Sequence, residues 1–270
     1  MTVNAINGSL FTAVSAIDGR TRTTLTAVDG FTIQAGFGPD PSTISDLQVW
    51  YDAYQETGFS NDQEMSTVLD WSGNSRNGTG VVVTTYKPRY RTSGGPNSLP
   101  SIQLYADGSE NGGYFSMPNF ISAYTAGHCW TVFKKDTDPT GDSDGPPLGN
   151  WGTTNDSYFP YPGDNTIYEA FGSNARKDNI THTVALNIWG VYEIRTASAA
   201  WSNYINGTQQ FTTGTNTVAF STAPTVGQEK AGRVFRGQFA ETFFYNRVLT
   251  SGEITTIKSY ITAKYGITMA

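Results

Sequence analysis

A single cysteine, Cys129, stands in 270 residues, which excludes an internal disulfide and any zinc site built on several cysteines. Histidine is nearly as scarce. With only His128 and His182, the His-Glu-x-x-His metallohydrolase motif is absent and a serine triad has few partners to draw on. Charged residues reach 15%, and no cluster of Lys or Arg interrupts a formal charge of −6, so nucleic acid is not expected as a partner. No unbroken apolar run approaches the length of a membrane span, and no basic residue precedes Arg20, so neither a span nor a signal peptide is expected. What is plentiful is Gly (29) and Pro (12), which points to turn-rich β structure whose surface polarity comes from Ser, Thr and Asn.

The first forty residues carry a repeat. AING at Ala5–Gly8 returns as AIDG at Ala16–Gly19 and AVDG at Ala27–Gly30, a period of eleven residues. Asn-Gly and Asp-Gly favour the positive φ of two-residue hairpin turns, and the intervening SLFTAVSAI and RTRTTLTAV are rich in Thr, Val and Ile. Short strands joined by tight turns are therefore expected. So small a meander has little to bury and is marginal by itself, so it makes sense when completed by another chain, whether a copy of itself or a foreign surface. The plainer alternative is a first hairpin folded onto the following domain. The repeat positions Ile6, Asn7, Gly8, Ile17, Asp18, Gly19, Val28, Asp29 and Gly30 are the candidate assembly residues. The reading divides the chain into an arm, residues 1–38, a Pro- and Gly-rich linker, 39–43, and a large domain, 44–270.

In the large domain, short β-like runs such as LQVWYDA, GVVVTTY, HCWTVFKK, VYEIRTA and FAETFFYN alternate with Gly, Asn and Pro turns, the pattern of a sandwich or barrel. FAETFFYN breaks strict alternation, so that strand is expected to be covered on both faces or to carry a bulge. One segment reads as helix, TSGEITTIKSYITAKYG: Thr250 and Glu253 have capping-box spacing, Ile254, Ile257 and Ile261 share a stripe, and Gly266 sits at the expected end.

Five stretches, LQVWYDA, VLDWSGNSRNGT, LPSIQLYADG, YEIRTASAAWSNYINGTQQF and GQFAETFFYNRVLTSGEITTIKSYITAKYGI, resemble a laminin-G-like domain of the concanavalin A-like lectin and glucanase superfamily. The resemblance covers about residues 44–270 and implies an all-β jelly-roll sandwich of two antiparallel sheets with one C-terminal helix, beside the N-terminal strand arm. The repeated phrase also resembles N-terminal segments of tailed-phage virion proteins. That likeness implies a protein assembled in the host cytoplasm and carried on the virion surface, with other capsid or tail proteins bound through residues 1–38 and a homo-oligomer expected.

The fold hosts lectins, hydrolases and inert spacers alike, so function has to come from a site. Retaining glucanases need two carboxylates about 5 Å apart. The superfamily's Glu-x-Asp-x-x-Glu strand is missing here, and Glu64, Glu169 and Glu193 are the scattered residues a dispersed hydrolase or lyase site would use. Gly141-Asp-Ser143-Asp-Gly145 matches a nucleophile elbow in letters, but Pro146 and Pro147 follow where a helix is required. The same stretch offers Asp136, Asp138, Asp142 and Asp144 as candidate calcium ligands, with Gly141 at the sixth position but no bidentate Glu at the twelfth; a solvated acidic loop is the plainer alternative. No cofactor is thus expected, with calcium the one possible exception. Trp151, Tyr158, Phe159 and Tyr161 lie among Gly, Pro, Asn and Asp, a mixture that suits either a sugar ring or packing against the sandwich. Trp50, Trp71, Trp130 and Trp189, in or beside strands, are expected in the core. The sequence is thus read as a non-enzymatic virion-surface protein whose lectin-like domain meets a host glycan. A soluble carbohydrate-binding module is the alternative, and a polysaccharide hydrolase or lyase ranks behind both.

Overall fold

The computed structural model describes residues 3–6, 9–12 and 37–270, apart from 84, 105–111, 137–144, 155, 156, 158, 162–165, 182, 183, 186 and 229–231. The chain forms two compact units, Met1–Gly38 and Pro39–Ala270, each described by itself. In the first, β1 (Val3–Ile6) and β2 (Ser9–Thr12) pair antiparallel from Val3↔Thr12 to Ile6↔Ser9. Asn7, Gly8 and the two later repeats, with Ile17, Asp18, Gly19, Val28, Asp29 and Gly30, lie outside the described residues.

The second unit continues with β3 (Leu47–Asp52), β4 (Thr67–Val68), β5 (Gly78–Val82), β6 (Arg89–Arg91), β7 (Ser101–Gln103), β8 (Gly113–Ser116), β9 (Ala126–Lys135) and β10 (Leu148–Gly149). It ends with β11 (Phe159–Tyr161), β12 (Thr166–Glu169), β13 (Lys177–Thr181), β14 (Gly190–Ala197), β15 (Ala200–Ile205), β16 (Thr208–Thr213), β17 (Thr225–Val226), β18 (Gly237–Tyr245) and the helix α1 (Ser251–Tyr265). Every strand pair among the described residues is antiparallel. The largest sheet runs β16-β15-β14-β9-β18-β7-β6, with β3 also on β18, and a five-stranded sheet runs β10-β17-β8-β5-β4. A third, three-stranded sheet, β11-β12-β13, adds to the two expected from the sequence. The all-β sandwich with a single C-terminal helix is therefore the observed fold.

Alternation sorts the large sheet into two faces. Toward the five-stranded sheet point Tyr51, Cys129, Phe133, Tyr192, Ile194, Phe239 and Phe244, all in one apolar core with Phe115 of β8. The Phe115 and Phe239 rings meet edge to face at 6.2 Å and fasten the two sheets together. The opposite face carries Trp50, Asp52, His128, Trp130, Glu193, Glu241, Phe243 and Tyr245, all buried. Helix α1 covers part of it, reaching down with Tyr260, Lys264 and Tyr265. β18 is thus covered on both sides, and its register against β9 slips between Phe239 and Glu241. Both features explain why its sequence fails to alternate.

Candidate functional site

The aromatic loop that could either meet a sugar or pack against the sandwich does not present its tryptophan. Trp151 is 0% exposed. Its indole N–H donates to the Thr225 carbonyl at 2.9 Å, and its ring stacks on Phe171 at 5.4 Å and tilts against Phe244 at the same distance. A ring with no open face cannot receive a sugar, so Trp151 is a core residue and leaves the candidate glycan set. Phe159 and Tyr161 contribute backbone pairs in β11 to Tyr168 and Thr166. Their side chains, and Tyr158, fall outside the description. Of the acidic loop, Asp136 is exposed and its N–H donates to the Arg236 carbonyl at 3.0 Å, whereas Asp138, Asp142, Asp144 and the serine of the elbow-like pentapeptide lie outside the described residues. Among the described residues no group of three or more His, Cys, Asp or Glu side chains could hold a metal ion.

The three scattered glutamates are not brought together as a pair. Glu64 is exposed and lies 3.8 Å from Arg89, Glu169 is buried and accepts from the Phe171 N–H at 2.8 Å, and Glu193 is buried on the helix-facing side of the large sheet. Glu193 Oε1 accepts from Arg195 Nε at 2.6 Å and lies 3.0 Å from His128 Nε2. Because His128 Nδ1 accepts the Leu249 backbone N–H at 3.2 Å, the proton of the neutral ring belongs on Nε2 and points at Glu193. Burial pushes the His128 pKa down, with Glu193 opposing. His182 lies outside the described residues.

Two arrangements escape a reading of the sequence. The first is Trp71, expected in the core and found 37% exposed beside Leu69 at 41%. The loop that carries it is wound around Asp70, whose carboxylate accepts the N–H groups of Trp50, Ser72 and Arg76 at 2.9, 3.0 and 2.9 Å. Trp71 is pinned through its backbone, whose N–H donates to the Trp50 carbonyl at 2.8 Å. Glu56 nearby is buried and accepts the Leu69 N–H at 2.7 Å; desolvation pushes its carboxyl up, and the bond from Leu69 opposes this. The result is a flat apolar face held rigidly at the surface. The Gly-, Ser- and Asn-rich DWSGNS stretch is the one local signal for it, because such turns run over surfaces.

The second is a buried cluster under helix α1. Asp52 of β3 and Glu241 of β18 face each other directly in register, and Lys264 of α1 reaches Asp52 Oδ2 at 2.6 Å and Glu241 Oε2 at 3.2 Å. Glu241 also accepts from Trp50 Nε1 at 2.5 Å, Tyr260 OH at 2.8 Å and Tyr265 OH at 2.9 Å. All three charged side chains are at most 1% exposed. Desolvation, and then the neighbouring Glu241, push the Asp52 carboxyl well above the usual carboxylate range, against the pull of Lys264.

No family model matches the chain, and no curated protein matches it either. Solved structures do. Domain 4 of AbnA, an extracellular arabinanase of Geobacillus stearothermophilus solved in complex with arabinotriose, aligns at 14% identity and TM-score 0.55, over 78% of this chain and 98% of that one. The Trypanosoma rangeli sialidase aligns at 15% identity and TM-score 0.53 over 81% of this chain, which spans only 33% of the sialidase. A receptor binding domain aligns at 12% identity and TM-score 0.53 over 82% of this chain and 51% of its own. Likeness at such low identity speaks of architecture alone, and residues 39–270 are accordingly a β-sandwich of the kind these carbohydrate-active and receptor-binding proteins carry.

Proposed function

We propose that the protein is a non-enzymatic, lectin-like display protein whose sandwich holds a glycan and whose residues 1–38 fasten it to a virion, as capsid decoration or tail component. The observation that carries the glycan part is Trp71, an exposed indole on a loop fixed by the Trp50 carbonyl and the Asp70 carboxylate. A fixed aromatic face stacks on a sugar ring without the entropy of ordering it first. The non-enzymatic part is supported by the carboxylates. Each of the five buried among the described residues, Asp52, Glu56, Glu169, Glu193 and Glu241, is engaged by hydrogen bonds from the protein's own groups. The attachment part is supported by the β1-β2 hairpin, too small a sheet to stand alone.

Binding of the full chain to a broad glycan array, with arabinotriose and sialic acid included because they occupy the structural neighbours, tests the first part. A ligand found there is expected to bind at least about tenfold more weakly to Trp71→Ala, a loss of about 1.4 kcal/mol. No binding across the array, or unchanged affinity in the variant, removes Trp71 from the reading.

A further inference from the structure

We propose that the protein joins two of its own side chains, Lys264 and Asp52, by an amide bond, with Glu241 as the proton carrier. The inference is independent of any glycan or virion role. It rests on the cluster under helix α1, where an amine, a carboxyl group and a second carboxylate meet at no more than 1% exposure. Lys264 Nζ lies 2.6 Å from Asp52 Oδ2, so the amine already sits against the carboxyl group it would attack. Asp52 and Glu241 are cross-strand partners, which holds electrophile and base on one rigid sheet. Tyr260 and Tyr265 close the site with Trp50, and the rings of Tyr54, Tyr260 and Tyr265 stand 5.4, 5.2 and 5.0 Å from Nζ.

The protonation states follow from the bonding. Three neutral donors, Trp50 Nε1, Tyr260 OH and Tyr265 OH, converge on the Glu241 oxygens, so Glu241 is the acceptor of the cluster. Two carboxylates and one ammonium in a buried site leave an uncompensated negative charge, so Asp52 carries the extra proton. That is the arrangement condensation requires: a neutral carboxylic acid, an amine and a base 3.2 Å from the amine. The Lys264 ammonium gives one proton to Glu241 Oε2, and the freed lone pair adds to Asp52 Cγ. The developing oxyanion at Oδ1 is met by the Tyr54 backbone N–H, already 3.0 Å away. The adduct then loses its hydroxyl as water. Of the three Nζ protons, one remains on Glu241, one departs in the water and one stays on the amide nitrogen. The ion pair becomes a neutral amide beside a neutral acid, which removes two charges from a site where solvation cannot support them.

The intact mass of the full chain, measured under denaturing conditions with allowance for loss of Met1, tests this directly. It is expected to fall short of the sequence mass by one water molecule. Trypsin should then yield Thr23–Arg76 joined to Ser259–Ala270, with no cleavage after Lys264. A mass equal to that of the sequence, with a free Ser259–Lys264 peptide, overturns the proposal. So does a water loss that maps to an Asp-Gly pair such as Asp18-Gly19, where ring closure gives the same mass change. Glu241→Gln, provided its circular dichroism matches the wild type, is expected to restore the full mass; a variant that still loses water removes Glu241 from the reaction. Because the wild-type mass and peptide map decide the bond itself, the proposal stands or falls even when the variant does not fold.

Discussion

His128 is held from both sides, by the Leu249 N–H on Nδ1 and by Glu193 on Nε2, in a place that solvent does not reach. Protonation would put a donor on Nδ1, where a donor already points. Burial lowers the folded-state pKa below the free value of 6.5, so in the interval beneath it the unfolded chain binds more protons than the folded one. The stability this group contributes is complete above that free value and drains away as pH falls through the folded value. Thermal melts from pH 7.5 to 5 should therefore decline less steeply in His128→Gln than in the wild type, with the variant about 1–3 kcal/mol less stable at neutral pH from the bonds it loses. Parallel declines would mean that another group sets the acid limb. Trp151 and Trp71, one buried and one at the surface, predict a similar contrast. Trp151→Ala empties a fully buried site and should cost about 3–5 kcal/mol in urea denaturation. Trp71→Ala, at the surface, should cost no more than about 1 kcal/mol. Residue type and local composition could not separate these two, since each indole stands in a stretch rich in Gly, Asn and Asp. What separates them is tertiary: the Trp151 loop folds inward onto Phe171 and Phe244, while the Trp71 loop is turned outward by Asp70.

Helix α1 was legible because its signals are local. Thr250 and Glu253 form both bonds of the capping box, Ile254, Ile257 and Ile261 are buried, and Gly266 ends the helix at φ 68°, a left-handed conformation. Arg247 grips the same Glu253 through both carboxylate oxygens, at 2.7 and 2.8 Å. This bond, with the Thr250 N–H, holds the Glu253 carboxyl down at about 2. The sign follows: its contribution is intact above the usual 4.5 and is lost as pH falls toward the folded value. Thr250→Ala should cost about 1 kcal/mol, read from the denaturation midpoint. Gly266→Ala adds strain at positive φ and a contact with Asn97 at 2.9 Å, and should cost at least about 1 kcal/mol more than an alanine placed at an exposed helical site. The strands were legible by the same local logic, down to the broken alternation of β18 that its two covered faces and its slipped register explain. The buried cluster was not. Asp52 and Lys264 are separated by 212 positions, and each reads alone as an ordinary surface charge.

At the scale of the molecule that separation becomes a mechanical fact. An Asp52–Lys264 bond would tie the first strand of the sandwich to its last helix and close a loop over nearly the whole domain. The loop-closure entropy removed from the unfolded chain is then worth about 5 kcal/mol. The first unit poses the opposite problem. Among the described residues β1 and β2 pair only with each other, and a hairpin of four-residue strands buries too little to offset its ordering entropy. The Ala-Ile-Asn-Gly phrase of this hairpin returns twice, with Asp-Gly in place of Asn-Gly, at the same spacing, so the sequence supplies strand material in excess of what one hairpin uses. Strands with free edges and a repeating turn are satisfied most simply by equivalent strands of neighbouring copies, which meet the same hydrogen-bond pattern in the same register. The full chain is therefore expected to be a trimer or larger by light scattering, and a chain starting at Pro39 to be a monomer with the thermal stability of the intact sandwich. A full chain that is monomeric at the highest concentration reached would discard self-assembly. The strand edges would then be left for a foreign surface, and the next measurement would be co-sedimentation of the full and shortened chains with virion particles.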